Sequence, residues 1–123
     1  MTGTPLDLDV TRQADGHAVI AADGVIDFTN RDVLRQQLDT LLDEGHRYLI
    51  VDLTGVSLCD SSGLSVLIQA HRAAGRQDGW LRLVGAQRIV RRVLEITNLD
   101  RMMPVYDTAS SARAATGGGP VTH

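Results

Sequence analysis

The run Asp60-Ser61-Ser62-Gly63-Leu64 closes one apolar stretch and opens another, so a carboxylate and two hydroxyls stand at what the spacing predicts to be a strand-to-helix turn. Two kinds of chemistry suit these residue types. Two hydroxyls and a carboxylate beside a glycine suit a surface that a partner approaches closely. Alternatively, Asp60 or Ser61 simply caps the helix by accepting from an amide that has no intrahelical partner. Gly63 exceeds what capping requires. Inside a helix it costs about 1 kcal/mol relative to alanine, and a position without a side chain points to close approach by a partner. Among the nearby hydroxyls of Ser57, Ser61 and Ser62, Ser61 is expected to cap the helix, which leaves Ser62 to point outward beside Gly63.

What is missing narrows the chemistry further. The chain has no lysine, so all 12 basic residues are arginine. That removes a phosphate-loop lysine, Schiff-base chemistry and the lysine that a phosphoacceptor-aspartate domain needs beside a residue such as Asp52. No Gly-x-Gly-x-x-Gly run and no serine-hydrolase elbow occurs. His17, His46, His71 and His123 are scattered without metal-ligand spacing, and His71 on an apolar helix face reads as a packed structural histidine. Cys59 is the single cysteine, which excludes an internal disulfide; it reads as a small buried hydrophobe, since the neighbouring Asp60 opposes thiolate formation. Neither catalysis nor a bound cofactor or metal is expected.

Net charge is −3, which disfavours nucleic acid as a direct partner, and Arg88, Arg91 and Arg92 read as the solvated side of a helix opposite Ile89, Val93 and Leu94. Met1 to Val10 lacks the basic start and apolar core of a signal peptide, and no apolar run approaches the ~20 residues that cross a bilayer, so a cytoplasmic location away from membranes is expected.

The elements that must position Asp60 to Leu64 follow from the hydrophobic pattern. Leu6, Leu8 and Val10 alternate with polar residues as in a half-buried strand, Asp15-Gly16 marks a hairpin, and His17 to Ile26 returns. Thr29 and Asn30 cap a helix whose inner face carries Val33, Leu34, Leu38, Leu41 and Leu42 and which stops at Gly45. Tyr48 to Val51, extended by Asp52-Leu53, reads as a central strand covered on both faces. Leu64 to Ala74 is a well-buried helix, Trp80 to Val84 a strand, and Ile89, Val90, Val93, Leu94 and Thr97 the inner face of a helix ending near Asn98. A short strand over Met103 to Tyr106 and a helix from about Thr108 to Ala115 complete residues 1–115 as one domain. Residues 116–123, with Gly117-Gly118-Gly119-Pro120, read as a flexible tail. The class is α/β, with a mixed sheet built on an N-terminal hairpin and flanked by about four helices.

From Leu6 to Ala115 the chain resembles the STAS domains, specifically the free-standing bacterial anti-sigma factor antagonists. The resemblance rests on Asp60-Ser61-Ser62-Gly63-Leu64 after Val51-Asp52-Leu53, on Gly24-Val25-Ile26-Asp27 before the first helix, and on Gly85 to Leu99. Val25 stands where the family's signature has Glu, whereas Asp27 is kept. The resemblance implies that Ser62 is phosphorylated by an anti-sigma factor that is also a serine kinase, and that a serine phosphatase resets it. It also implies that the unphosphorylated form binds that kinase through Asp27, Asp60, Ser61, Ser62, Gly63 and Leu64, releasing a sigma factor. The alternative is a STAS scaffold or sensor module in a larger signalling assembly that frees no sigma factor. A phosphate adds about −1.5 to −2 charges beside Asp60, and a like charge ~10 Å away at a dielectric of about 20 costs between about 1 and 2 kcal/mol.

Overall fold

The computed structural model describes residues 3–115; the predicted tail at 116–123 lies outside them. The elements run β1 (Leu6–Arg12), β2 (His17–Ile26), α1 (Arg31–Asp43), β3 (Tyr48–Cys59), α2 (Ser61–Gly75), β4 (Trp80–Val84), α3 (Arg88–Ile96), α4 (Leu99–Met102), β5 (Val105–Tyr106) and α5 (Ala109–Ala114). They build one five-stranded sheet in the order β1-β2-β3-β4-β5. The β1–β2 hairpin is antiparallel and every later pairing is parallel, so the mixed sheet with β3 at its centre is as the pattern requires.

Alternation divides the core into two layers. Ala18, Ile20 and Ala22 of β2, Leu49, Val51 and Leu53 of β3, and Leu81 and Leu83 of β4 face a layer formed by α1, α2 and α3. Ile50, Trp80 and Val84 point the other way, where α5 supplies Ala112. The carboxyl ends of β2, β3 and β4 meet at one edge, where α1, α2 and α3 begin. The loops entering those strands meet at the opposite edge.

Several expectations give way to packing. β3 runs through Thr54-Gly55 instead of stopping near Leu53, because β2 also extends and pairs Asp23 with Gly55 and Ile26 with Cys59, across two register shifts. The buried stripe of α1 is Leu34, Leu38, Leu41 and Leu42, and Val33, one residue off that stripe, is 50% exposed. Likewise α3 buries Val90 and Leu94, while Ile89 is 58% exposed and does not belong to the inner face. A separate one-turn α4 follows Asn98, whose left-handed backbone (φ 60°) breaks the helical path, and β5 is confined to Val105–Tyr106. The described residues therefore contain five helices instead of about four.

The buried Arg82 and the half-buried His71 hold elements in place. Arg82 is 2% exposed, donates to the Ala112 and Ala115 carbonyls at 2.7 and 3.0 Å, and stacks on Trp80 at 3.8 Å, which pins α5 to the sheet. His71 Nδ1 accepts from the Leu81 amide at 3.1 Å, consistent with a structural histidine. Burial, with Arg72 adding to it, lowers the pKa of His71, so the ring is held in the neutral form that can accept this bond.

Candidate functional site

At the carboxyl edge, the end of β3 meets the start of α2 over Asp60. The Asp60 amide donates to the Ile26 carbonyl at 3.0 Å, which carries the β2–β3 ladder to the start of the helix. Asp60 is the N-cap: its Oδ1 accepts from the Ser62 and Gly63 amides at 2.9 and 3.1 Å. The expectation that Ser61 caps the helix is thereby corrected. Ser61 is the first helical residue, exposed, and makes no side-chain cap bond.

Ser62 is held more closely than expected. Its hydroxyl donates to Asp60 Oδ1 at 2.6 Å and the residue is half-buried, so Oγ lies against the carboxylate instead of swinging freely outward. Asp60 Oδ2 meanwhile accepts from the Phe28 amide at 3.2 Å. One carboxylate thus ties the loop between β2 and α1 to the first turn of α2. The Ser62 hydroxyl, followed by the amides of Gly63, Ser62 and Phe28, holds the Asp60 pKa below the ordinary carboxylate range. Asp60 is ionised at neutral pH and remains a strong acceptor.

Gly63 is required for an internal reason. A Cβ there would stand 2.6 Å from Ile26 Cγ2 and 2.7 Å from Cys59 Sγ, so the close approach is by the protein's own core, not by an outside molecule. Leu64 is only 5% exposed and also packs inward. These two residues support the turn from beneath. Cys59 is 3% exposed and burial pushes its thiol pKa up to about 12, with Asp60 adding to the effect, so it is an inert packed side chain.

Asp27 belongs to a network on the adjoining loop. Its Oδ1 accepts from the Thr29 amide and hydroxyl at 2.9 and 2.7 Å, and its Oδ2 from the Thr4 hydroxyl at 2.7 Å. The Thr29 hydroxyl, then the Thr4 hydroxyl, hold its pKa below the ordinary range. Asn30, 3% exposed, accepts from the Asp27 amide at 2.9 Å and donates to the Thr4 and Val25 carbonyls at 2.9 and 2.7 Å. It stands at the N-cap position of α1 but makes no side-chain cap bond, so neither Thr29 nor Asn30 caps that helix as expected. Among the described residues no hydrogen bond joins Asp27 directly to the α2 turn; the Phe28 amide links the loop to Asp60. The loop is fixed by the chain that folds back over it.

The same edge presents apolar side chains that sequence reasoning missed. Phe28 is 67% exposed, with the Arg31 guanidinium 4.5 Å above its ring, and Leu58 is 46% exposed one residue before Cys59. The chain has just one phenylalanine, and its place immediately before the Thr29-Asn30 pair was the available signal. Phe28, through its amide, and Ser62, through its hydroxyl, meet on the ionised Asp60, with the exposed Ser61 beside them.

The family model for the STAS domain matches residues 10–112. The chain belongs to the STAS domain family. It is 36% identical over 74 residues to a Thermotoga neapolitana protein named, provisionally, an anti-sigma factor antagonist; the match takes in 60% of this chain and 66% of that one. It is 29% identical over 102 residues to the anti-sigma-B factor antagonist of Staphylococcus aureus, covering 83% of this chain and 94% of the relative. In three dimensions it is similar to a crystal structure of an anti-sigma factor antagonist from Mycobacterium paratuberculosis, with a TM-score of 0.79, 27% identity, and 89% and 92% of the two chains covered. The STAS fold thus places the Asp60–Ser62 turn at the carboxyl edge of its sheet. Among the described residues no helix is long and apolar enough to cross a membrane, and no group of three or more His, Cys, Asp or Glu residues could hold a metal ion.

Proposed function

We propose that this STAS domain is a cytoplasmic anti-sigma factor antagonist whose unphosphorylated form binds an anti-sigma factor with serine kinase activity, and that phosphorylation of Ser62 ends the binding. The observation that carries this reading is the 2.6 Å bond from the Ser62 hydroxyl to Asp60, the residue that also holds the α2 amides and the Phe28 loop. A modification at one oxygen therefore acts on both segments of the surface. Asp27 acts through the loop it organises, Gly63 and Leu64 from beneath, and Phe28, Leu58, Asp60, Ser61 and Ser62 by contact.

In the transfer, Ser62 Oγ forms a bond to the γ-phosphorus of ATP, the bond to the β-phosphate oxygen breaks, ADP leaves, and the hydroxyl proton is lost to the kinase site or solvent. The chain is the substrate in this step, not the enzyme. The seryl oxygen, once esterified, has no proton to donate to Asp60, and the phosphate places about −1.5 to −2 charges beside a carboxylate. At a separation of ~5 Å each unit of like charge costs between about 1 kcal/mol in water and about 3 at a surface dielectric of 20. Helix amides and the dipole offset part of this, so the domain stays folded while the Asp60–Phe28 link loosens and the surface becomes strongly anionic. A serine phosphatase restores the binding form.

The test is to retrieve partners from the cell's own extract with the unmodified protein as bait, then to supply ATP and locate the phosphate by peptide mass spectrometry. Recovery of an ATP-binding anti-sigma factor and modification of Ser62 is the expected result. Modification of Ser61 or Ser57 with Ser62 untouched, or recovery of large scaffold proteins only, would overturn it.

A further inference from the structure

The outward side of α3 is more than a solvated helix face. Val90 and Leu94 are buried beneath it, yet Ile89 is 58% and Ile96 69% exposed, and their spacing puts them on one stripe about 10 Å apart. Arg92, also exposed, stands between them, with the exposed Arg88 one turn before it. Glu95 is the one carboxylate on this helix, against Arg88, Arg91 and Arg92, so the face is both apolar and cationic. None of the three guanidiniums is in an ion pair among the described residues.

The same chain carries a face of opposite character. On the other side of the sheet α5 packs on β3, β4 and β5, and the part over the edge strand β1 and its neighbour β2 is left exposed. There Asp7 stands directly opposite Asp23 across the antiparallel ladder, and Asp9 lines up through Ala21 with Asp52. These four carboxylates surround a groove of about 270 Å³ lined also by Ala21 and Gly55, whose small size lets a helix come close to the sheet. Like charges directly opposite one another weaken a strand pair, and none of the four is in an ion pair among the described residues. The face is left with uncompensated negative charge.

We propose that α3 of one copy of this chain docks on the β1–β2 sheet face of a second copy, its arginines against the four aspartates and Ile89 and Ile96 over Ala21 and Gly55. Charge complementarity selects this occupant, since both faces belong to one molecule whose net charge is only −3. The spacings agree as well: Arg88 and Arg92 are about 6 Å apart along the helix, and Asp7 and Asp9 about 7 Å apart along the strand. The two faces lie on opposite sides of the sheet, so every copy offers both at once. The contact is therefore heterologous and builds species larger than a dimer. A single nine-residue helix covers less than about 1,200 Å² in total, the size of a transient contact, so the association is weak and sensitive to salt. It requires neither phosphorylation nor an anti-sigma factor, which separates its test from that of the Ser62 switch.

Sedimentation velocity of the full unmodified chain, from about 10 µM to about 1 mM in salt of about 20 mM and about 500 mM, is the test. The expected result is a sedimentation coefficient that climbs past the dimer value with concentration at low salt and returns to that of the monomer at high salt. Arg92→Glu and Asp9→Arg, both at exposed side chains, should each weaken the association at least about tenfold. An equimolar mixture of the two variants should regain it, because each keeps the face that the other has lost, and a misfolded variant could not rescue its counterpart. A monomer at every concentration in low salt, a closed dimer that persists in high salt, or a mixture no more associated than either variant alone would overturn the proposal. So would a monomeric chain whose Asp9 and Asp23 amide resonances move on addition of hexa-arginine, a result that assigns the acidic face to a different protein.

Discussion

The bond between Ser62 and Asp60 can be weighed without any partner, by a double-mutant cycle on folding stability. Ser62→Ala removes a short hydroxyl bond to an ionised acceptor at a half-buried position, which is expected to cost about 1 kcal/mol. Asp60→Ala removes that same bond and the cap bonds to the Ser62 and Gly63 amides, as well as the acceptor for the Phe28 amide, and is expected to cost about 2 kcal/mol. Because one interaction is counted in both single variants, the double variant should cost less than their sum by roughly 0.5 to 1.5 kcal/mol. Urea denaturation followed by the fluorescence of Trp80 supplies the four stabilities. A pH dimension sharpens the test. The folded Asp60 has a depressed pKa, so it contributes stability that is full above its unfolded value of about 3.8 and is lost as pH falls through the folded one. Since the Ser62 hydroxyl is the largest cause of that depression, Ser62→Ala should move this acid loss to higher pH. Additive costs within about 0.3 kcal/mol, together with an unchanged acid profile, would show that the hydroxyl and carboxylate are not engaged.

Three further predictions address the frame and the surface. Gly63→Ala should destabilise by about 1 to 3 kcal/mol in thermal or urea unfolding, because its Cβ would meet Ile26 and Cys59, although helix propensity alone predicts a gain of about 1; a more stable variant would contradict the packing. His71→Gln should flatten the loss of stability as pH drops below about 6.5, since a histidine with a lowered folded pKa contributes stability above its unfolded value that disappears on acidification. An unchanged pH profile in equilibrium unfolding would refute that role. Phe28→Ala should leave folding within about 0.5 kcal/mol while weakening capture of the partner by about tenfold or more in a binding assay, as expected for an exposed aromatic at an interface.

The order of elements and the centrality of β3 were legible because period-two and helical patterns are written in Leu, Val, Ile and Ala, and because Asp15-Gly16 and Gly45 mark real breaks. What could not be read depends on contacts between distant segments. Asp60 and Ser61 are both good capping residues, and the choice between them is made by the length of β3, which carries the ladder as far as Asp60 on the Ile26 carbonyl. The Asp27 network needs Thr4, which lies 23 residues away, so Asp27 was recognisable as a marked position but not as the organiser of a loop. Gly63 stood out as an unusual glycine inside a helix, but the pattern pointed to a partner's approach, whereas the atoms that crowd it are those of Ile26 on a neighbouring strand and of Cys59. Trp80-Leu81-Arg82-Leu83-Val84 reads as a strand, but the burial of Arg82 appears only once α5 has folded over it and offered its carbonyls.

The central claim, that one phosphate on Ser62 ends partner binding, is tested most directly by calorimetric titration of the anti-sigma factor with the unmodified protein and with protein stoichiometrically phosphorylated at Ser62. Two added charges near Asp60 are expected to raise Kd by about a hundredfold or more, the equivalent of about 3 kcal/mol, with both forms equally folded by circular dichroism. Equal affinity of the two forms would contradict the account.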